Sequence, residues 1–153
     1  MKLPEAIGTR EILIGIGVAV VLLIVAIPLL GYVGDQSKRS EAQLLVDSIR
    51  AAELAQGRSF PLEGYISADW APRNPTELDG SAVPWTPSEG FTRLGWSPEK
   101  EGFDKVRCAY RVAAERDSFT VTGRCDLDGD GRQAVFEATH DSPATQISES
   151  GVN

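Results

Sequence analysis

The chain has 153 residues, 42% of them hydrophobic, and a formal net charge of −7. Ile12–Val33 holds no charged residue, and from Gly34 onward there are 20 acidic and 13 basic residues, so the whole net charge belongs to that later part. This split excludes an all-soluble globule, and the acidic exposed part excludes binding nucleic acid by charge alone. Three Trp, five Phe and three Tyr exclude disorder throughout.

The first predicted element is the uncharged run itself. Its 22 residues would reach roughly 33 Å as a helix, at about 1.5 Å per residue, which is close to the thickness of bilayer hydrocarbon. Gly15, Gly17, Pro28 and Gly31 interrupt it, as membrane helices tolerate. No small-residue cleavage motif follows Val33, which argues against a removed secretory signal. Lys2 and Arg10 before the run favour a cytoplasmic N-terminus and a C-terminal domain outside the inner membrane.

Residues 34–56 then become amphipathic. Leu45, Ile49 and Ala52 recur at helical spacing, with Lys38, Arg39, Glu41, Asp47, Arg50 and Glu53 assigned largely to the surface, and Gly57 is placed as a C-terminal cap. One long helix over about residues 5–56 is expected, weakened at Pro28 by the missing amide donor.

The stretch from Glu11 through VAIPLLGYVGDQSKRSEAQLLVDSIRAAE resembles the N-terminal helix of type IV pilins and pseudopilins. Glu11 and Pro28 are 17 residues apart, the spacing of that family's fifth and twenty-second mature positions, if Ile7 is the first mature residue. The resemblance implies a short leader, residues 1–6, removed between Ala6 and Ile7, with methylation of the new amine. It departs from the family in carrying Ala6 where Gly is usual and Arg10 beside Glu11, which leans toward a minor subunit. A carboxylate in the membrane costs on the order of 2.5–3.5 kcal/mol at its centre unless paired. The resemblance therefore implies that Glu11 pairs with a neighbouring subunit's new α-ammonium during assembly.

Residues 57–90 carry five prolines, four glycines, Trp70 and Trp85 without a surviving period, and are expected to be a long connection packed on the domain. Strands are expected in 91–140: Phe91–Trp96 weakly, Val106–Ala114 and Phe119–Cys125 clearly, and Ala134–Thr139. Pairing Ala114 with Phe119, Val112 with Val121, Tyr110 with Gly123 and Cys108 with Cys125 makes one face apolar. The expected fold is α+β, a long N-terminal helix with a membrane half (7–33) and an amphipathic half, packed on a four-stranded antiparallel sheet in a pilin-like roll. The whole of 34–153 forms the extracytoplasmic domain, with a polar, frayed tail over 141–153.

That register makes Cys108 and Cys125 cross-strand neighbours, and outside the cytoplasm a disulfide is the default. Asp126-Leu-Asp128-Gly-Asp130-Gly131 with Glu137 fits the twelve-residue calcium loop D-x-[DN]-x-[DN]-G-x5-E, with the Arg132 carbonyl at its seventh position. Position eight is Gln133 and the flanks read as strands, both unlike an EF-hand, and a plain hairpin turn is the competing reading. His140, the single histidine, has no Ser or Cys nucleophile nearby in sequence and reads as a surface residue, so no enzyme is expected.

The sequence thus points to a structural subunit of a pilus or pseudopilus filament. It would sit in the inner membrane of a bacterium as a single-pass protein until a prepilin peptidase and an assembly machinery bring it together with copies of itself or other pilins. The alternative is a singly anchored, calcium-binding extracytoplasmic module that does not polymerise.

Overall fold

A computed structural model describes Gly34 and residues 36–148. Helix α1 covers residues 36–59, and its apolar stripe is set by Ala42, Leu45, Val46 and Ile49, all fully buried. One flank of α1 is tied down by polar contacts: Arg39 donates to Gln146 Oε1 at 2.8 Å, Gln43 to the Ala144 carbonyl at 2.9 Å, and Arg50 to the carbonyls of Thr139 and His140 at 2.7 and 2.9 Å. In return, Asp47 accepts from the Ala144 amide at 2.7 Å. On the other flank, Trp96 Nε1 donates to Ser48 Oγ at 2.9 Å. Gly57 does not cap the helix, which runs two residues further. A Cβ there would lie 2.6 Å from the Tyr65 ring, so its smallness serves close approach.

The strands are β1 (Ala68–Ala71), β2 (Val83–Pro84), β3 (Lys105–Val106), β4 (Cys108–Ala114), β5 (Phe119–Cys125), β6 (Ala134–Thr139) and β7 (Thr145–Ser148). Five of them form an antiparallel sheet in the order β1-β4-β5-β6-β7, while β2 and β3 make a small separate ladder. The β4–β5 register is the one the alternation demands, from Cys108 opposite Cys125 to Ala114 opposite Phe119. Tyr110, Val112, Phe119, Val121, Phe136 and Ala138 point from the sheet into one core shared with α1.

The four-stranded roll is therefore corrected. The fold is α+β, but the sheet has five strands, and the described helix begins at residue 36. The expected membrane half of the helix, residues 7–33, lies outside the described residues, and so do Ala6, Ile7, Glu11 and Pro28. Strand β1 comes from the segment read as a connection. It pairs with β4 through an irregular register between Ala68 and Ala71 that hides its alternation. Strand β7 comes from the segment read as a frayed tail, and pairs with β6 despite its polar sequence. The weak strand expected at Phe91–Trp96 is instead helix α2 (Glu89–Leu94), closed by Gly95 at φ 65°. This helix brings Phe91 and Trp96 onto Trp85 and Tyr110, with neighbouring ring centroids 5.1–6.4 Å apart. Among the described residues, no helix is long and apolar enough to cross a membrane.

Close approach of α1 to the sheet depends on Gly123. A Cβ at that position would lie 2.7 Å from Val46 Cγ2 and 3.4 Å from the Tyr110 ring. Val46 is β-branched and packed, so it has little room to yield. Gly123→Ala is expected to destabilise the domain by about 1–3 kcal/mol, as overpacked cores do. Urea unfolding of the variant beside the parent measures this, and coincident midpoints would show slack between helix and sheet.

Candidate metal centre

The β5–β6 connection turns on two glycines in the left-handed region, Gly129 at φ 81° and Gly131 at φ 83°. Between and before them stand Asp126, Asp128 and Asp130. Asp126 is buried at 1% exposure, while its two neighbours are exposed. Its Oδ1 accepts the Gly129 amide at 2.8 Å and its Oδ2 the Gly131 amide at 3.1 Å, so this carboxylate organises the loop. Asp128 accepts the Asp130 amide at 3.3 Å, and Asp130 accepts the Arg132 amide at 2.8 Å. Desolvation by the surrounding loop pushes the Asp128 carboxyl up, but hydrogen bonding with Asp130, its own amide and Asp126 outweighs this and holds it below the usual aspartate range.

The loop is fixed on several sides. Leu127 is buried in the core, and its carbonyl accepts from Lys38 Nζ at 2.6 Å. Gln133 Nε2 reaches the Pro75 carbonyl at 2.5 Å. Gly80, at φ 79°, lies so near that a Cβ would sit 3.0 Å from the Gly129 nitrogen. The Gly80 turn is itself held by Arg107, which donates to the Gly80 carbonyl at 3.0 Å, and by Asp79, which accepts from Ser81. The Ser81 hydroxyl and then its amide hold the Asp79 carboxyl low, with Arg73 assisting.

Asp126, Asp128 and Asp130 each present a carboxylate oxygen, and these atoms lie within 4.8 Å of one another, so the three could hold a metal ion. Each oxygen of Asp126 already accepts one amide and keeps a lone pair for a cation. All three donors are hard oxygens, the set suited to calcium or magnesium and not to a soft metal.

Glu137 is not brought into this group. It lies on β6 opposite Thr122 and Thr145, on the sheet face away from the core that Phe136 and Ala138 fill. Three residues of strand beyond Ala134 carry it about 10 Å along the sheet. The EF-hand ligand set needs a helix after the loop to turn its last carboxylate back, and here a strand follows. Arg132 stays in the loop, where its amide serves Asp130.

Cys108 and Cys125 form a disulfide at the base of the same connection. His140 pairs with Asp141 at 2.8 Å and is ringed by Tyr65 and Phe119, without a nucleophile among these contacts.

The sequence reading missed Glu53. It is fully buried, with Oε2 accepting the Ile66 amide at 3.0 Å and Oε1 without a partner among the described residues. The signal was present, because position 53 continues the buried spacing 42, 46, 49.

The described domain is thus a small α+β unit, a helix on a five-stranded antiparallel sheet with an aspartate loop between adjacent central strands. No family model matches the chain, and neither does any curated protein or solved structure.

Asp126→Asn is expected to cost about 1 kcal/mol, because one of two part-buried amide donors loses its acceptor. The same change should abolish any stabilisation by added calcium. Retained calcium stabilisation in a thermal melt of this variant would remove Asp126 from the site.

Proposed function

We propose that the chain is a subunit of a type IV pilus-like or pseudopilus filament, held by the apolar run Ile12–Val33 before assembly, with a calcium-binding loop in its extracytoplasmic domain. The observation that carries the filament reading is the placement of Glu11 and Pro28, 17 residues apart, after a short leader that contains Lys2. In this reading Glu11 is the acidic group at the N-terminal edge of the membrane run, and pairing with the α-ammonium of a neighbouring subunit relieves its desolvation. Copies added head to tail through one repeated interface extend without closing. The disulfide agrees with a domain that leaves the cytoplasm.

Glu11→Ala is expected to abolish incorporation into filaments while leaving the protein in the membrane; assembly at the parental level would count decisively against the reading. Mass measurement of the N-terminus should find residues 1–6 gone. An intact leader would favour the second reading, a singly anchored calcium module that does not polymerise.

Calcium is the ion we assign to the Asp126, Asp128 and Asp130 oxygens, since an exposed loop with flexible coordination suits it better than the strict octahedron of magnesium. At 100 times its dissociation constant, calcium should stabilise the domain by about 2.7 kcal/mol. Melting with calcium, with magnesium and with chelator checks this. An unchanged midpoint across the three conditions would remove the ion from the proposal.

A further inference from the structure

The sheet buries one face against α1, while its other face carries Trp70 on β1, Arg111 on β4 and Arg124 on β5, with Glu137 on β6 two strands over from Arg111. Arg111 and Arg124 are exposed and Trp70 is half-buried. Their guanidinium carbons lie 6.0 and 5.7 Å from the centroid of the Trp70 ring, so one indole gathers two cations. Among the described residues, neither arginine is held by a carboxylate. In a chain where acidic residues outnumber basic ones 20 to 13 beyond residue 33, two adjacent arginines left without an acidic partner mark unused complementarity.

We propose that this face docks a carboxylate-bearing surface of a second copy of the chain, with Trp70 as the apolar anchor and Arg111 and Arg124 as two forks for carboxylates. Guanidinium groups take carboxylates through two parallel hydrogen bonds, and Trp and Arg are the residue types that dominate interface energetics. The net charge of −7 disfavours an extended polyanion, since the repulsion reaches over about 8–10 Å of solution while the cationic patch is local. Another copy brings acidic surface of the required sign. Contact between this patch and an acidic surface elsewhere on the next copy joins unlike surfaces and propagates in one direction. This deepens the filament reading and rests on it, naming a contact made by the soluble domain in addition to that of the N-terminal segment.

The test uses the full chain in detergent, prepared in light and heavy isotopic forms and mixed, with a photo-crosslinking amino acid at Ala113, exposed on β4 beside Arg111. Crosslinks between light and heavy copies, landing on a peptide containing Asp or Glu, are expected. They should fall at least tenfold in Arg111→Glu/Arg124→Glu and at high salt. A melting midpoint matching the parent shows that the double variant is folded. Absence of crosslinks between copies, or a yield untouched by the charge reversal, overturns the proposal. So does a yield that appears only when an anionic polysaccharide or nucleic acid is added. Because crosslinking is read before filaments form, its failure leaves the filament reading standing, whereas normal assembly of Glu11→Ala strikes that reading alone.

Discussion

Glu53→Gln should leave the protein more stable than the parent at pH 8, by up to about 3 kcal/mol, and the gain should vanish near pH 4. Burial pushes the Glu53 carboxyl up to about 7, only partly offset by the hydrogen bond from the Ile66 amide. A free glutamate titrates near 4.5, so the folded state holds a proton that the unfolded state has released between those two values. The folded protein is therefore fully favoured below about 4.5 and loses stability as pH rises toward about 7, above which the loss is constant. A shift of this size corresponds to about 3 kcal/mol at 1.36 kcal/mol per pH unit. Glutamine stays neutral at every pH, and its carbonyl can still accept the Ile66 amide. Urea unfolding of both proteins from pH 4 to pH 8.5 measures the difference, which cancels the contribution of every other carboxylate. A difference that stays flat across that range would show that Glu53 does not titrate as a buried acid. Glu53→Leu serves as the contrast: it also removes the pH dependence, but strands the Ile66 amide and should cost about 1–3 kcal/mol at low pH.

The same residue marks where sequence reading stopped. Charge assigned Glu53 to the surface, whereas helical spacing placed it on the buried stripe, and the hydrogen bond that decided between them comes from Ile66, 13 residues on. Strands β4 and β5 were legible because their alternation has to match across a short turn, and the register that the turn allows puts the apolar residues on one face. Strand β1 was not, because Ala-Asp-Trp-Ala sits among prolines and shifts register within its four residues. Strand β7 presents Thr-Gln-Ile-Ser, and its position is set by α1 through Arg39, Gln43 and Asp47, contacts that span about a hundred residues of sequence. In the site, Asp126, Asp128 and Asp130 were legible because alternate positions on a glycine turn converge whatever follows it. Glu137, at the loop's twelfth position, is outside that group, because where this position points depends on the element after the loop, and that element is β6. The Trp70, Arg111 and Arg124 group left no sequence signal, since it exists only once β1 has joined the sheet edge.

The second large effect concerns the disulfide. Cys108→Ala/Cys125→Ala is expected to lose about 3 kcal/mol, the loop-closure entropy that a bridge across 17 residues removes from the unfolded chain. Both sulfurs are buried, so a small packing loss adds to this. The native loop should nevertheless persist. Cys125 remains paired with residue 108 on one side and Ala134 on the other, and Asp126 keeps its two amide partners. The two readouts therefore separate: the urea midpoint falls well below that of the oxidised parent, while the affinity of the proposed calcium site stays within a few-fold of it. Chemically reduced parent protein should unfold near the double variant, because each lacks the same crosslink. Coincident midpoints for oxidised parent and double variant would mean that the unfolded chain is already constrained around β4 and β5, and that the bridge contributes little. A midpoint loss accompanied by collapse of calcium binding would instead place the bridge in the role of holding the aspartate loop, beyond restricting the unfolded chain.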